Sequence, residues 1–401
     1  MSEQLKTEAA SAEDLGGVDW VARAETLAPQ IEAASNEIEK QRRVTDEVMA
    51  AIHEAQLFKM LMPRSIGGGE ATPMQYTAVL EAVGGADAST AWCLGQGLGC
   101  SLASARLDRD IARDVFGPKN AVLAWGPARG DAKAVAVEGG YNSSGLWMFG
   151  SGLPNATWAG GHSIVYEANG EPSRGKDGKP VQRTMLFPID QVEVIDVWRV
   201  LGLRGTGSNN YRVKDQFVPE AYTLIRDGYA AVLEDGPLYR IPILTAYGIG
   251  FTGIALGLAR AMLAEFKKLA LVKKPSGFPG TLSENAVIQS EVSQHTGRLN
   301  AARSYLFEMI EAYWDTLSAG DEPDLEHRAL LRTAISNAMI TSKDVCDFAH
   351  ISSGTNGIFE DGPFERRFRD IHTLTAQGQA HLSNFQFAGQ ALMGTAPDRR
   401  L

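Results

Sequence analysis

The spacing of apolar residues changes twice along this 401-residue chain, and that change constrains the fold more than any other feature of the sequence. From about residue 18 to 117, apolar residues recur three and four positions apart, which is typical of amphipathic helices. From about 119 to 235, seven short segments rich in β-branched and aromatic residues alternate with glycine, asparagine, aspartate and proline, as strands and turns do. Long helical patterns return from about 238 to the end.

This order predicts a mainly α protein with a central β-domain. We expect a flexible tail over 1–17, a helical N-terminal domain over 18–118, a β-barrel or sandwich over 119–236 and a helical bundle over 237–401. The last part offers four long helices, enough for an up-down bundle. Within the β part, VEGGYNSSGLW has the pattern of a hairpin.

Composition excludes several classes of function. The formal net charge of −10 argues against a nucleic-acid partner, which would need a basic surface. Three scattered cysteines are too few for a disulfide framework or a zinc site, so we expect no metal and a reducing cytoplasm. No run approaches the roughly 20 apolar residues of a membrane span, and the N-terminus lacks the basic and apolar start of a secretion signal. The sequence therefore predicts a cytoplasmic globular protein with no membrane partner.

Four segments resemble, in this order, motifs of one known family. They read DASTAWCLG, GGYNSSGLWMFGSGLPNATW, LGLRGTGSNNYRVKDQFVPE and ERRFRDIH. Together with the helical, β, helical order, they resemble the acyl-CoA dehydrogenase fold over almost the whole chain. The resemblance implies a C-terminal four-helix bundle and a homotetramer, in which neighbouring subunits complete a flavin site.

The fold supports two chemistries, and they differ in whether they need a carboxylate base. The dehydrogenases bind FAD and an acyl-CoA, and a carboxylate, often shortly past the Arg-Asp pair, removes a proton. Here that stretch reads TAQGQAH, with no acid between Asp370 and Asp398, and the other common position, YGIGFTGIALGLA, has none either. The chain therefore looks like the second branch, the two-component flavin monooxygenases.

This branch implies the oxygenase component of a two-component system. It takes FADH2 or FMNH2 from a separate NAD(P)H:flavin reductase and reacts it with O2 to give a C4a-(hydro)peroxyflavin, which hydroxylates a small aromatic or heteroaromatic substrate. Such chemistry needs a dry pocket with hydrogen-bonding groups beside the flavin. Two alternatives stay open: an FAD-dependent acyl-CoA dehydrogenase or desaturase with its acid elsewhere, and a non-catalytic flavin-binding protein.

In the β-domain, the resemblance implies flavin contacts on two strands. Ser151 matches the serine of a Trp-x-x-x-Ser-Gly motif, so its hydroxyl or backbone is a candidate contact with the flavin edge or the substrate; a turn-initiating serine is the alternative. Trp125, in LAWGP, either contacts the flavin edge or packs in the core. Asn155 stands where the oxygenases often carry histidine, and an amide does not readily donate a proton.

The glycine-rich segment GLRGTGSNN supplies three further candidates for flavin binding. Glycines bring backbone N–H groups close to a ligand, so Thr206 and Ser208 are candidates to hold the flavin phosphate or pyrimidine oxygens. A glycine-rich hairpin turn is the alternative. Arg204 either supplies charge to the flavin phosphate or lies on the surface. The segment is not a Rossmann fingerprint, because no G-x-G-x-x-G opens a helix after a strand.

The segment that follows the Arg-Asp pair is expected to face the flavin. Helical spacing would place Gln377 and His381 on one face. In the oxygenases a histidine commonly stands where this chain has Gln377, which donates a hydrogen bond but does not titrate. His381 either approaches the same pocket or lies on an exposed face. We expect Arg369 and Asp370 to form an ion pair that fixes the start of the helix, and Ser151, Gln377 and His381 to be the catalytic residues.

Overall fold

The computed structural model of the chain describes residues 15–226 and 231–395. Most of the predicted tail over 1–17 therefore lies outside the described residues. The helical, β, helical order is present, and the predicted fold class is confirmed. The exact domain boundaries stay a prediction.

Ten α-helices occur in the described residues, five before the strands and five after them. They are α1 Trp20–Gln41, α2 Asp46–Glu54, α3 Pro73–Ala86, α4 Ala88–Ser101, α5 Arg109–Phe116, α6 Ile243–Val272, α7 Ala286–Ser318, α8 Leu325–Ser353, α9 Glu365–Leu374 and α10 Ser383–Leu392.

Local sequence sets the start of α3 and of α4, the helix that carries part of the site. α3 begins with a capping box, in which the Thr72 hydroxyl accepts from Gln75 N and the Gln75 side chain accepts from Thr72 N, with Pro73 at the first position. Asp87 alone separates α3 from α4, and its side chain caps the start of α4 by accepting from Thr90 N at 2.7 Å. The two helices therefore follow each other with a sharp change of direction.

The longest apolar helix, α6, is the core of the bundle. It is the one helix in the described residues that is long and apolar enough to cross a membrane, but 78% of its most apolar window is buried inside the protein. The expectation that no run approaches such a length is thus wrong for α6. Its burial explains the apolar run without a membrane. α3 lies directly against it, since a Cβ on Gly257 would meet the Glu81 carbonyl oxygen at 2.0 Å.

The central part forms one mixed sheet of eight described strands rather than seven. They are β1 Leu123–Gly126, β2 Lys133–Val137, β3 Gly140–Gly150, β4 Trp158–Tyr166, β5 Gln182–Pro188, β6 Glu193–Ile195, β7 Asn209–Pro219 and β8 Thr223–Leu224. Their order is β6-β7-β3-β2-β4-β5-β8, and β1 pairs with β4. The predicted hairpin is confirmed as β2 and β3, which are antiparallel.

The sheet curls around a second core, separate from that of the helices. Trp147, Tyr211 and Phe187 are fully buried there. The Tyr211 hydroxyl accepts from Gly126 N on β1 at 2.9 Å and donates to Gly160 O on β4 at 2.6 Å. Because Tyr211 lies on β7, these bonds cross the inside of the curl and hold its two sides together.

The loop before β7 is clamped by α9. The Asp370 carboxylate accepts from Leu203 N at 2.6 Å, and the Leu201 carbonyl accepts from Arg369 Nη1 at 2.9 Å. A Cβ on Gly202 would meet the Arg369 carbonyl oxygen at 2.2 Å, so only glycine allows this approach. The C-terminal helices are thereby joined to the β-domain.

The predicted ion pair between Arg369 and Asp370 is wrong. Arg369 instead pairs with Glu365, one turn earlier on α9, and with Glu39 of α1 at 2.8 Å. Asp370 lies in the middle of α9 and not at its start, so the helix dipole gives it little support. The two neighbours in sequence point to different elements because adjacent residues on a helix do not face each other.

Burial raises the pKa of Asp370 to about 7, against the lowering effect of the Leu203 N–H bond and the nearby Arg366. Between about pH 4 and 7, the folded chain therefore holds a proton that the unfolded chain has already lost. The free energy of unfolding falls as the pH rises through that range. Asp370→Asn keeps an oxygen for Leu203 and removes the titration. We expect the wild type to lose about 2 kcal/mol or more relative to Asp370→Asn between pH 5 and pH 8, measured by urea unfolding.

Asp321→Asn is the matched control, because Asp321 lies exposed in the turn between α7 and α8. Its difference from the wild type should be the same at both pH values. A gap between the wild type and Asp370→Asn that does not change with pH would contradict the assignment.

Candidate functional site

A buried hydrogen-bond cluster lies where α4, α6 and β1 meet. At its centre, the Tyr247 hydroxyl of α6 accepts from Trp125 Nε1 and from Gln96 Nε2, each at 3.0 Å. Gln96 Nε2 also lies 3.2 Å from the Trp125 carbonyl oxygen. Cys100 Sγ lies 3.4 Å from the Tyr247 hydroxyl. Trp125, one of the predicted residues, is thus held at both its indole and its backbone.

Every group in this cluster is neutral. Burial raises the pKa of Tyr247 well above its ordinary value, and it raises the pKa of the Cys100 thiol to about 12. Both therefore keep their protons across the physiological range. The cluster fixes the position of the Trp125 ring and does not supply a base.

A second chain of hydrogen bonds joins three of the predicted residues. Trp92 Nε1 of α4 donates to Ser151 Oγ at 3.0 Å, and Ser151 Oγ lies 2.6 Å from Ser208 Oγ. Ser208 Oγ lies 2.7 Å from Thr206 Oγ1, which donates to Leu203 O at 2.8 Å. The sequence motifs that contain Ser151 and the Thr206–Ser208 pair therefore meet at one point, at the end of β3.

Aromatic rings connect the two clusters. Trp92 stacks on Phe251 with ring centroids 4.1 Å apart and an interplanar angle of 8°. Phe251 in turn stacks on Tyr247 at 5.3 Å. Trp92 and Gln96 lie one turn apart on α4, and Tyr247 and Phe251 one turn apart on α6, so each helix presents one face to the site.

An open groove reaches the same region from the sheet edge. It has a volume of about 400 Å³, and its lining includes His162, Thr184, Arg183 and Arg226. The His162 ring lies 5.1 Å from the Trp125 ring, and its Nδ1 lies 2.7 Å from Thr184 Oγ1. Burial lowers the pKa of His162 to about 3, so this histidine is neutral at physiological pH.

The donor set fits a reduced flavin better than a phosphate or a metal. Around Ser151, Trp125 and Tyr247, the hydrogen-bond partners of the side chains are indoles, hydroxyls, an amide, a thiol and carbonyls; within the described residues none is a carboxylate or a cation. Neutral, directional groups of this kind suit the heteroatoms of an isoalloxazine ring. Elsewhere in the described ranges, no group of three or more His, Cys, Asp or Glu side chains is placed to hold a metal.

The predicted helical face shared by Gln377 and His381 is wrong. α9 ends at Leu374, and Gln377 is extended with φ −78° and ψ 165°. Gln377 Nε2 lies 3.9 Å from Met339 Sδ, whereas His381 is exposed and bonds to Ser383. Helical geometry therefore does not relate the two residues. Their turn does approach α6, since a Cβ on Gly248 would lie 3.5 Å from Gln379 Cγ.

Two further candidates are occupied by contacts within the chain. Arg204 Nη1 bonds to Glu39 Oε1 of α1 at 2.9 Å, and Arg204 Nε donates to Val200 O. Asn155 Nδ2 donates to Val44 O at 3.1 Å. Both side chains tie the β-domain to the N-terminal helices. The interpretation of Arg204 as a flavin-phosphate ligand stays a prediction.

Sequence reasoning named the motif DASTAWCLG but missed Trp92 within it and Gln96 directly after it. It also missed Tyr247 and Phe251. A usable signal was present, because each pair has the spacing of one helical turn in a stretch of alanine and glycine. Large side chains on one face of such a stretch are candidates to line a site as well as to fill the core.

Comparisons with known proteins agree with the fold. The family model "Acyl-CoA dehydrogenase, N-terminal domain" matches residues 22–105, and "Acyl-CoA dehydrogenase, C-terminal domain" matches residues 249–381. Together they cover more than half of the chain. The chain belongs to the acyl-CoA dehydrogenase family. The fold that the four sequence motifs predicted is therefore confirmed.

Relatives of this family member include named oxygenases. It is 27% identical to an indole-3-acetate monooxygenase of Pseudomonas putida, with 91% of each chain covered. It is 26% identical to the "flavin-dependent monooxygenase, oxygenase subunit HsaA" of Rhodococcus jostii (strain RHA1), with 93% of this chain and 96% of that one covered. The structure of XiaF from Streptomyces sp. in complex with FADH2 and glycerol superimposes with a TM-score of 0.87 at 24% identity, covering 95% and 96% of the two chains. The predicted likeness to the oxygenase branch is confirmed.

The Tyr247 cluster predicts a measurable loss of stability. Tyr247→Phe removes the acceptor of the Trp125 indole and leaves a buried N–H without a partner, which costs about 1–3 kcal/mol. We expect a lower free energy of unfolding by that amount in chemical denaturation. Tyr305→Phe is the control, because the Tyr305 hydroxyl is half-buried and donates over 3.4 Å to Leu330 O; its effect should stay below about 1 kcal/mol. Equal effects of the two variants would show that Tyr247 does not organise the site.

Proposed function

We propose that this protein is the oxygenase component of a two-component flavin monooxygenase that hydroxylates a small aromatic or heteroaromatic compound. The observation that carries the proposal is the buried, neutral donor set around Ser151 and Trp125, in which the described residues supply no carboxylate base. The likeness to named monooxygenases over nine-tenths of the chain supports it.

Reduced flavin, FADH2 or FMNH2 from a separate NAD(P)H:flavin reductase, supplies the electrons and, with O2, the chemistry of oxygen insertion. Ser151 would hydrogen-bond the flavin, supported by Ser208 and Thr206, and Trp125 would contact it as well. Gln377 and His381 would act from the turn after α9, which approaches α6 through Gln379. Among these candidates the assignment of Ser151 has the most structural support, because a whole chain of hydrogen bonds fixes its orientation.

The aromatic residues account for the class of substrate. Trp92 and Phe251 form a flat, apolar pair beside Ser151, and an aromatic ring favours such a surface over a polar one. The Trp125 ring packs against the neutral His162, which lines the groove of about 400 Å³. Burial of the hydroxyl chain keeps bulk water from the flavin edge, and water would promote loss of reducing equivalents to hydrogen peroxide.

A turnover experiment tests the function directly. The purified chain is mixed with FAD or FMN, an unrelated flavin reductase, NADH and ¹⁸O2, and a panel of phenols and indoles is screened by mass spectrometry. We expect one labelled oxygen in the product. Ser151→Ala should lower product per reduced flavin about tenfold and raise hydrogen peroxide, because the flavin loses a hydrogen bond worth about 1.5 kcal/mol.

Ser173→Ala, in the loop after β4, is the control and should behave as the wild type. Hydrogen peroxide with no labelled product from the whole panel would contradict the proposal. Anaerobic bleaching of bound FAD by an acyl-CoA would instead support a dehydrogenase.

The homotetramer and the cytoplasmic location are also part of the proposal. Large apolar side chains are exposed on the helical bundle, as expected of surfaces that neighbouring subunits cover. They include Val272, Ile351, Leu382 and Met393. Light scattering of protein from the soluble cell fraction should give four times the chain mass of 43.2 kDa. A monomer, or protein confined to the membrane fraction, would contradict this part.

A further inference from the structure

One face of the sheet carries both the groove and the Trp125 ring. A Cβ on Gly160 of β4 would meet Trp125 Cε3 at 2.7 Å and Thr184 Cγ2 at 3.4 Å, so these two side chains stand over the same face. His162 follows Gly160 by two residues and pairs with Thr184 of β5, and strand alternation places its ring on that face as well. The groove of about 400 Å³, which His162 lines, therefore opens beside the candidate site.

Thr184 fixes which nitrogen of His162 carries the hydrogen. The Thr184 side chain is 1% exposed, and in the described part of the chain its hydroxyl has His162 Nδ1 as its hydrogen-bond partner, at 2.7 Å. A buried hydroxyl hydrogen without an acceptor is costly, so Thr184 donates to Nδ1. Because the imidazole is neutral, its one hydrogen then stands on Nε2. Nε2 makes no hydrogen bond to residues 15–226 or 231–395, and it offers this N–H to the groove.

Arg226 brings a positive charge to the same part of the groove. Burial of the His162 ring lowers its pKa, and the charge of Arg226, which also lines the groove, lowers the pKa further. Burial raises the pKa of the Cys100 thiol, and the charge of Arg226 acts in the opposite direction there. The guanidinium therefore lies close to both the groove and the buried cluster around Tyr247.

The other charged side chains of the groove are engaged with neighbouring groups. Lys179 Nζ lies 3.6 Å from the Asp177 carboxylate, and Arg183 Nε donates to Thr223 Oγ1 of β8 at 2.9 Å. The lining holds three cationic side chains against one carboxylate, so the groove is positive overall. A neutral N–H donor beside a guanidinium suits a ligand group that carries a negative charge and only accepts hydrogen bonds. A carboxylate is such a group.

We propose that this end of the groove binds the carboxylate of an aromatic acid, with Arg226 as its charged partner and His162 Nε2–H as a neutral donor. The proposal rests on the proposed function and narrows its substrate class to aromatic carboxylic acids. A guanidinium gives a carboxylate two parallel hydrogen bonds, which a neutral phenol or indole cannot accept in the same way. The acid bound there places its ring toward Trp125, whose ring centroid lies 5.1 Å from that of His162.

The test compares aromatic acids with their primary amides, which have nearly the same shape but no charge. The probes are 3-hydroxybenzoate, 3-hydroxyphenylacetate and 3-(3-hydroxyphenyl)propionate with the three amides, so that the distance from ring to carboxylate varies. They are titrated calorimetrically into the full chain, with and without FAD, at about 150 mM salt, which screens charges that are not in contact. At least one acid should bind about tenfold or more tightly than its amide.

Variants of the two groove residues separate charge from neutral hydrogen bonding. Arg226→Gln should reduce the preference for the acid to within about twofold, and an unchanged affinity for the amide shows that the variant is folded. Arg174→Gln is the matched control and should keep the preference, because Arg174 lies in the loop between β4 and β5 and donates to Gly178 O. His162→Gln keeps a neutral N–H donor and should also keep it. His162→Leu should weaken acid and amide alike, since both present an oxygen acceptor.

The outcomes distinguish this proposal from the proposed function. Equal affinity of the wild type for every acid and its amide would overturn the proposal, and so would an equal loss of preference in Arg226→Gln and Arg174→Gln. Labelled product from neutral phenols or indoles, with no preference for acids, would leave the proposed function standing without the carboxylate site. Binding of acids that depends on Arg226, with no labelled product from any compound, would overturn the proposed function and leave the site.

Discussion

The hydrogen bond from Leu203 N to the Asp370 carboxylate is the contact on which the candidate site depends. Leu203 has a left-handed backbone, with φ 52°, which costs a non-glycine residue about 1–2 kcal/mol. It is held there because its N–H is bound by Asp370 and its carbonyl accepts from Trp198 Nε1 and the Thr206 hydroxyl. The same carbonyl ends the chain that leads to Ser151, so a helix of the bundle orients a hydroxyl of the β-domain.

Charged side chains and neutral polar side chains lie on opposite sides of Leu203. Behind Leu203, the carboxylates of Glu39 and Glu365 pair with Arg369, and the Asp370 side chain binds the Leu203 N–H. In front of it, only hydroxyls and an indole continue toward the site. The carboxylates are bound in structural contacts, and the face offered to a cofactor remains neutral. A base-driven dehydrogenation would need the opposite arrangement.

The sequence predicted the order of the layers, the β2–β3 hairpin and the fold, because each depends on local periodicity or on a motif that is contiguous in the chain. It also named Ser151, Thr206 and Ser208, but not that they touch, since the contact joins residues 57 apart. Gln377 and His381 were misread because glycine and glutamine after Leu374 do not by themselves mark a helix end. Arg369 and Asp370 were paired as neighbours, although their partners come from α1 and the loop before β7.

Trp92 makes the two halves of the site dependent on each other. Its indole N–H binds Ser151 while its ring stacks on Phe251, and Phe251 stacks on Tyr247, whose hydroxyl binds Trp125. The aromatic surface and the hydroxyl chain are therefore joined through Trp92, between α4 and α6.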